Sequence, residues 1–268
     1  MLSSDNSLAR QLLSWRKGIH YELSFWRRWM ETRGLQWPDD FNRRFAGGYD
    51  MSWLLAESGC GTDNCVPVVV DVGSGPVTTF GQEIRTGLHA RLHAVDPLAR
   101  QYNGLLDTCS LMPPVRTEFG IAEDLSSYFD RDYADLVHCN NALDHSFDPL
   151  RSIEEMLQIV TPAGLVFLRH RRNEAELESY SGFHQWNFDI QDGAFIIWNR
   201  ENATNVKAYI DRFASCAATL DGDFVLIRLR KHACSGPALD SMVADRRRGR
   251  LSMLYELLID AAATATGG

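Results

Sequence analysis

The chain has 268 residues, of which 45% are hydrophobic and 23% are charged, and its formal net charge is −8. This composition is typical of a globular protein with one large domain and some additions. The acidic balance argues against binding to a nucleic-acid backbone, which depends on Lys and Arg. No apolar run approaches the roughly 20 residues that cross a bilayer. The first residues lack the charged-then-apolar order of a secretory signal, and the scattered cysteines complete no zinc motif, so we expect a cytoplasmic protein with reduced thiols.

The N-terminal region has apolar residues at helical spacing from Leu8 to Met30, which predicts a helix that ends before Pro38. We expect residues 1–60 to form a helical cap. Two roles for this cap stay open at this point. It could cover a substrate, or it could form a homodimer contact.

The middle of the chain alternates strand and helix patterns. A helix is predicted after Asp148, a good N-cap, with Pro149 in its first turn. Two more helices are predicted at Asn202–Leu220 and in a leucine-rich tail at Met242–Ala263. Apolar strands separated by helices predict an α/β fold with a parallel sheet and helices on both faces. The seven predicted strands are VPVVVDVGSG, RLHAVDP, PVRTEFG, YADLVHCNN, PAGLVFLRH, GAFIIWNR and DFVLIRLRKH.

A glycine loop follows the first strand, where Gly73 and Gly75 permit a tight turn and a close approach of the backbone to a ligand. Thr78 stands where a dinucleotide-binding loop has its third glycine. Asp71 would repel a pyrophosphate but suits a cationic ligand. Asp96 ends the second strand, the position of an acid that accepts hydrogen bonds from ribose. A ligand that contains a ribose and a positive charge but no phosphate is indicated, and S-adenosylmethionine is such a ligand.

Four segments in this order, VVDVGSGP, HAVDP, FGIAEDL and YADLVHCNNALDHSFDPLRSIEEMLQIVTPAGLVFL, resemble the class I S-adenosylmethionine-dependent methyltransferases over about residues 67–232. The resemblance implies a Rossmann-like methyltransferase fold with a seven-stranded, mostly parallel sheet whose last strand is antiparallel. With it we expect a cofactor-binding core at residues 61–235 and a C-terminal helical tail at residues 236–268. The cofactor-binding residues implied are Asp71, Gly73, Ser74, Gly75, Asp96, Pro97, Ala122, Glu123 and Asn140. Ile121 replaces an acid that is frequent in the family, so Glu123 is expected near the adenine amino group.

Methyl transfer from a sulfonium mainly requires alignment of the acceptor atom with the methyl group. A hydroxyl acceptor also benefits from a general base, usually His. The candidates for the base are His145, together with the neighbouring Asp144, and His184. Relatives often carry a second His at the position of Asp144. No cluster of carboxylates and histidines shows ligand spacing along the chain, so we expect no metal requirement, although Asp144 and His145 come nearest to such a cluster.

The stretch SYSGFHQWNFD, Ser179 to Asp189, follows the fifth strand and fits neither helical nor strand periodicity. Loops at this edge of the sheet bind substrates in such folds. We therefore interpret Gln185, Trp186 and Asn187, together with His170, as acceptor contacts. The alternative is that the aromatic side chains of the stretch fill core.

These patterns predict an enzyme that methylates a small molecule, most readily the oxygen of a sugar, glycan precursor or secondary metabolite. N- or C-methylation of a small molecule is the first alternative. A macromolecular methyltransferase is disfavoured by the net charge. It is also disfavoured because NNAL follows the fourth strand in place of an Asn-Pro-Pro-aromatic signature. A non-catalytic S-adenosylmethionine-binding protein and a nicotinamide-dependent oxidoreductase are the rivals from other classes. Neither a nucleic acid nor a membrane is expected as a partner.

Overall fold

The computed structural model of the protein describes residues 2–59, 66–85 and 88–233. Its helices are α1 (Leu2–Glu31), α2 (Pro38–Phe45), α3 (Ser52–Glu57), α4 (Ala99–Thr108), α5 (Pro149–Ile159), α6 (Glu174–Leu177) and α7 (Val206–Ile210). Short 3-10 helices occupy Ala122–Ser127 and Leu143–His145. The strands are β1 (Val68–Val72), β2 (Glu83–Arg85), β3 (Leu88–His89), β4 (Arg91–Asp96), β5 (Glu118–Phe119), β6 (Ala134–Asn140), β7 (Val160–Arg171), β8 (Asn187–Gln191), β9 (Ala194–Trp198), β10 (Ala203–Asn205), β11 (Ala214–Asp221) and β12 (Phe224–Lys231).

The main sheet has seven strands in the order β11-β12-β7-β6-β1-β4-β5. Strands β5, β4, β1, β6 and β7 are parallel to one another, and β12 is antiparallel to both β7 and β11. This confirms the predicted α/β fold with a mostly parallel sheet and an antiparallel last strand. The central strands carry apolar residues on both faces, because helices cover both. Val69, Val70, Leu136 and Val137 are all fully buried.

Helix α5 begins as the sequence predicted. The side chain of Asp148 accepts a hydrogen bond from the Arg151 backbone N–H. Pro149 occupies the first turn, where backbone N–H groups have no partner within the helix, so the N–H that proline lacks is not needed. Ile153, Met156 and Leu157 then pack into the largest hydrophobic core of the protein.

The predicted helix at Asn202–Leu220 is wrong over most of its length. Only α7 is helical there, and the second half of the segment forms β11, which pairs with β12 along its whole length. The two-residue turn between them is Gly222-Asp223, and the glycine has φ +55°. A Gly-Asp pair between two strands is a hairpin signal, because glycine adopts the positive φ that the first turn position requires, and it overrides the helical spacing of the apolar residues.

The segment GAFIIWNR is a strand, β9, but it does not belong to the main sheet. It lies in a separate three-stranded antiparallel sheet in the order β10-β9-β8. Strand β11 takes the place in the main sheet that was expected for this segment.

The predicted C-terminal tail helix and the pair Cys60 and Cys65 lie outside the described residues. Among the described helices, none combines the length and hydropathy of a membrane-spanning segment. The boundaries of the cap, core and tail stay a prediction.

Candidate active site

A cavity of about 230 Å³ lies at the carboxyl ends of β1, β4 and β6. In a parallel sheet these ends meet at one edge, which is where α/β proteins bind their ligands. The cavity is lined by all the residues that the sequence assigned to the cofactor: Asp71, Gly73, Ser74, Gly75, Asp96, Pro97, Ala122, Glu123 and Asn140.

The glycine loop after β1 uses both of its glycines. Gly73 has φ +68° and Gly75 has φ +63°, in the left-handed region that side chains disfavour. A Cβ atom on Gly73 would lie 2.4 Å from the Cβ atom of Ala142. The loop is therefore closely packed against the residues that follow β6, and the two together form one wall of the cavity.

Asp96 is held in place by two backbone N–H groups. Leu98 donates to Oδ1 at 2.8 Å and Gly75 donates to Oδ2 at 3.2 Å, so the carboxyl group joins the ends of β1 and β4. Burial raises the pKa of Asp96 to about 7, against the effect of these two donors, which favour the charged form. A ligand hydroxyl that donates a hydrogen bond to this carboxylate would replace part of the hydration that the carboxylate loses on burial.

Asp71 lies under the glycine loop, and both of its oxygens are engaged. Its Oδ1 lies 2.6 Å from His138 Nδ1, and its Oδ2 accepts a hydrogen bond from the Thr78 hydroxyl. Thr78, which departs from the dinucleotide pattern, thus fixes an acidic side chain beneath the loop.

Glu123 lies at the other side of the cavity and caps a chain turn. Its Oε1 accepts hydrogen bonds from the backbone N–H groups of Phe147 at 2.6 Å and Asp148 at 3.1 Å. Burial raises its pKa to about 7, although these donors favour the charged form. Ile121, the departure from the family pattern, is buried beside it and lines the cavity.

Helix α1 closes the cavity with residues that the sequence analysis did not assign to the site. Glu22 lines it and accepts a hydrogen bond from Trp26 Nε1 at 2.6 Å. Trp15 Nε1 donates to the backbone oxygen of His145 at 3.0 Å, which ties the helix to the loop after β6. The apolar stripe of α1 predicted that Trp15 and Trp26 face the core, but no pattern in the sequence indicates which part of the core they cover.

The predicted catalytic residues meet at one point. Asp144 and His145 lie in the 3-10 helix after β6, and His184 comes from the stretch between α6 and β8. Asp144 Oδ2 lies 2.8 Å from His184 Nδ1 and 3.4 Å from His145 Nε2. The two ring nitrogens lie 3.2 Å apart. We call these three residues the Asp-His-His cluster, and His145 brings it to the wall of the cavity.

Within the Asp-His-His cluster, the carboxylate and the imidazoles each favour the charged form of the other. Burial disfavours the charged form of His184, but the hydrogen bond and charge of Asp144 outweigh it and raise the pKa of His184. Burial acts against ionisation of Asp144 too, yet His145 and His184 lower its pKa. By contrast, burial lowers the pKa of His170 to about 4. His170 is therefore neutral at physiological pH.

The predicted acceptor contacts have different surroundings from the ones expected. His170 is fully buried and stacks on Phe188, and Asn187 is fully buried between the Tyr180 hydroxyl and the Glu176 backbone N–H. Trp186 packs against the main core and donates to the Ser146 backbone oxygen at 3.1 Å. Gln185 Nε2 donates to the Gly182 oxygen. None of these four lines the cavity, whereas their neighbour Phe183 does.

A second, wider groove of about 810 Å³ adjoins the cavity. It shares Trp26, Arg44, Thr79, Asn140 and Asn141 with the cavity wall. Its other walls carry aromatic rings, among them Phe25, Trp37 and Trp53, and charged groups, among them Asp50, Arg169 and Asp221. Asn141 has φ +51°, a conformation that is uncommon outside glycine and is often found at functional sites.

The family of the central part of the chain follows from a match of residues 70–168 to the family model described as a methyltransferase domain. Residues 70–168 of this chain form a methyltransferase domain. The matched residues run from β1 through β7 and include the glycine loop, Asp96 and the loop after β6. The protein is therefore a methyltransferase, and S-adenosylmethionine is its methyl donor.

Solved structures similar to this methyltransferase include an S-adenosyl-L-methionine-dependent methyltransferase, described as putative, from Methanococcus maripaludis, with 13% identity and a TM-score of 0.47 over 77% of this chain and 92% of that one. An S-adenosylmethionine-dependent methyltransferase from Clostridium acetobutylicum has 10% identity and a TM-score of 0.43 over 70% and 94%. DhpI, in complex with SAH, has 18% identity and a TM-score of 0.44 over 81% and 98%. The curated proteins contain no match to the sequence.

Replacing Asp96 with Ala should weaken S-adenosylmethionine binding by about 1–3 kcal/mol, because the ribose hydroxyls would lose a charged acceptor. Isothermal calorimetry measures the change. Asp107→Ala is the matched control, since Asp107 is an exposed carboxylate paired with Arg116 away from the cavity. Equal affinities for the Asp96 variant and the unaltered protein would remove Asp96 from the cofactor site.

Proposed function

We propose that the protein transfers the methyl group of S-adenosylmethionine to an oxygen atom of a small molecule, such as a sugar, a glycan precursor or a secondary metabolite. The observation that carries this proposal is the pair of adjoining spaces at the edge of the sheet. One is narrow and has the motif residues in its wall, and the other is wide and aromatic.

In the proposed arrangement the narrow cavity holds the cofactor. Asp96 accepts from the ribose hydroxyls, and Glu123 and Ala122 border the adenine. The methionine end lies over Gly73, Ser74 and Gly75 and extends towards Asn140. Helix α1 covers the cofactor through Trp15 and Trp26, which line the cavity.

The acceptor enters through the groove. Exposed rings there offer flat apolar surface, and the carboxylates and guanidinium groups between them offer hydrogen bonds. This combination suits a polyhydroxylated or aromatic molecule better than a polymer backbone of uniform charge. Asn140 and Asn141 lie in both walls, so an acceptor that reaches them stands next to the methyl end of the cofactor.

When it holds no metal ion, the Asp-His-His cluster supplies the general base. From Asn141 the chain leads directly to Asp144 and His145, and His145 lines the cavity. The Asp144 carboxylate orients the imidazole that accepts the hydroxyl proton, as in other base–carboxylate pairs. A base that takes a proton from a hydroxyl favours O-methylation, since a neutral amine acceptor needs no such step before attack.

Mass spectrometry for the demethylated cofactor across a panel of sugars, phenols and amines tests the reaction. With an active acceptor in hand, Trp53→Ala should lower kcat/KM by about 2- to 13-fold, the equivalent of about 0.5–1.5 kcal/mol for a lost ring contact. Trp53 is 48% exposed and lines the groove. The cofactor Kd should not change.

Tyr21→Ala provides the matched control for Trp53→Ala, because Tyr21 is another exposed aromatic residue and is absent from the groove wall. If both variants keep the full kcat/KM, the acceptor does not use the groove. Turnover restricted to amines or to carbon acids would exclude the proposed O-methylation.

A further inference from the structure

The Asp-His-His cluster has the geometry of a metal-ligand set. Three atoms, one from each residue, surround a common centre: Asp144 Oδ2, His145 Nε2 and His184 Nδ1 lie 2.8, 3.2 and 3.4 Å from one another. A bond from a divalent first-row metal to nitrogen or oxygen is about 2.0–2.2 Å long. Two ligands on one such ion at tetrahedral or octahedral angles therefore lie about 2.8–3.6 Å apart. All three separations fall within that range.

Hydrogen bonding alone accounts poorly for this arrangement. Both ring nitrogens converge on the same carboxylate oxygen, while the other oxygen, Asp144 Oδ1, has no hydrogen-bond partner within the described part of the chain. Asp144 is 1% exposed, so water cannot readily compensate. A cation at the common centre satisfies all three ligand atoms at once.

A second buried carboxylate adds negative charge to the same neighbourhood. Glu174 pairs with Arg171 through Oε1 at 3.9 Å, and its Oε2 lacks a hydrogen-bond partner among the described residues. Asp144 stays as a buried carboxylate between two imidazoles, and buried charge is unfavourable unless it is compensated. A divalent ion supplies that compensation.

We propose that Asp144, His145 and His184 bind one divalent transition-metal ion at the wall of the cofactor cavity. Two imidazoles and one carboxylate favour zinc, cobalt or iron over magnesium and calcium, which prefer oxygen ligands alone. Three protein ligands leave further coordination positions open to a small molecule. This proposal differs from the sequence-based expectation of a metal-independent enzyme, which depended on spacing along the chain, where His184 lies 39 residues beyond His145.

Metal binding can be measured without an acceptor, so its outcome is separate from that of the proposed O-methylation. The full-length chain is stripped with chelator and titrated with Zn²⁺ by calorimetry, in the absence of cofactor. The unaltered protein should bind one equivalent. His184→Asn and His145→Asn should lower the affinity about 100-fold or more, because the loss of even an outer-shell partner costs about 10- to 100-fold. His20→Asn, at an exposed histidine of α1, should bind as the unaltered protein does.

X-ray absorption on the metal-loaded unaltered protein keeps the test valid if the variants fail to fold. The expected spectrum shows two imidazole ligands and oxygen ligands. Sulfur scattering would overturn the proposal, because it would place the ion on cysteines such as Cys60 and Cys65. The absence of stoichiometric Zn²⁺ and Co²⁺ binding, or the same affinity in both cluster variants as in the unaltered protein, would overturn it as well.

Discussion

Arg151→Met should lower the free energy of unfolding by about 3–5 kcal/mol, the usual result of removing one partner from a buried ion pair. Arg151 is 4% exposed and lies between Glu154 and Glu155, which are both completely buried. Its Nη2 atom pairs with Glu155, and its Nη1 atom lies 3.6 Å from Glu154. Without the guanidinium group, both carboxylates would stay in the interior with their main counter-charge gone.

The same arginine connects stability to the cavity where we propose that the cofactor binds. Its Nε donates to the backbone oxygen of Glu123 at 3.1 Å, and Glu155, which it neutralises, accepts a hydrogen bond from the Ser126 backbone N–H at 2.6 Å. Both contacts hold the 3-10 helix at Ala122–Ser127, which lies against the cavity. We therefore expect Arg151→Met to weaken cofactor binding in addition to stability.

Urea denaturation of the Arg151 variant with and without S-adenosylmethionine measures both effects. Arg116→Met is the matched control, because Arg116 forms an exposed pair with Asp107 at 2.6 Å. Exposed pairs contribute about 0.2–1 kcal/mol. A loss of stability in Arg151→Met no larger than that in the control would show that the buried carboxylates do not depend on the arginine.

The cavity at the edge of the sheet could be predicted from the sequence because its residues lie at strand ends. Asp71, Asp96 and Asn140 each lie at or beside the end of a short apolar run, and parallel topology brings such ends to one edge whatever the length of the connections. Local signals were sufficient there: two glycines for the loop, an acid after the next strand and a capped helix after β6.

The rest of the site depends on long-range packing that leaves no periodic pattern. Trp15 reaches His145, and His184 reaches Asp144, across 130 and 40 residues respectively. Asn187 and Trp186 are polar or amphipathic residues in an irregular stretch, which suggested a substrate loop. In the structure their polar atoms bond to the backbone and to Tyr180, so the same residue types hold the stretch in place.

Trp186→Ala should therefore act mainly on stability. Its ring packs against the main core, and truncation of a large aromatic residue costs about 3–5 kcal/mol when it is fully buried, with about 3 kcal/mol expected here for partial burial. The cofactor Kd should stay unchanged in the folded variant. A normal melting temperature with a large loss of kcat/KM for the acceptor would restore the interpretation of Trp186 as an acceptor contact.

His184→Ala should give the opposite result: a cooperative melt and an unchanged cofactor Kd, with kcat/KM for the acceptor lowered by about 10²–10⁴-fold, the usual cost of losing a general base. The side chain is partly exposed, and its main contacts are with Asp144 and His145, so its removal takes little from the core. The same loss is expected if the cluster holds a metal ion that binds the acceptor oxygen, since His184 would then be a ligand. His20→Ala, at an exposed histidine, controls for the change in composition. Full turnover in His184→Ala combined with its loss in His145→Ala would assign the base to His145 alone, and full turnover in both would remove the Asp-His-His cluster from the chemistry.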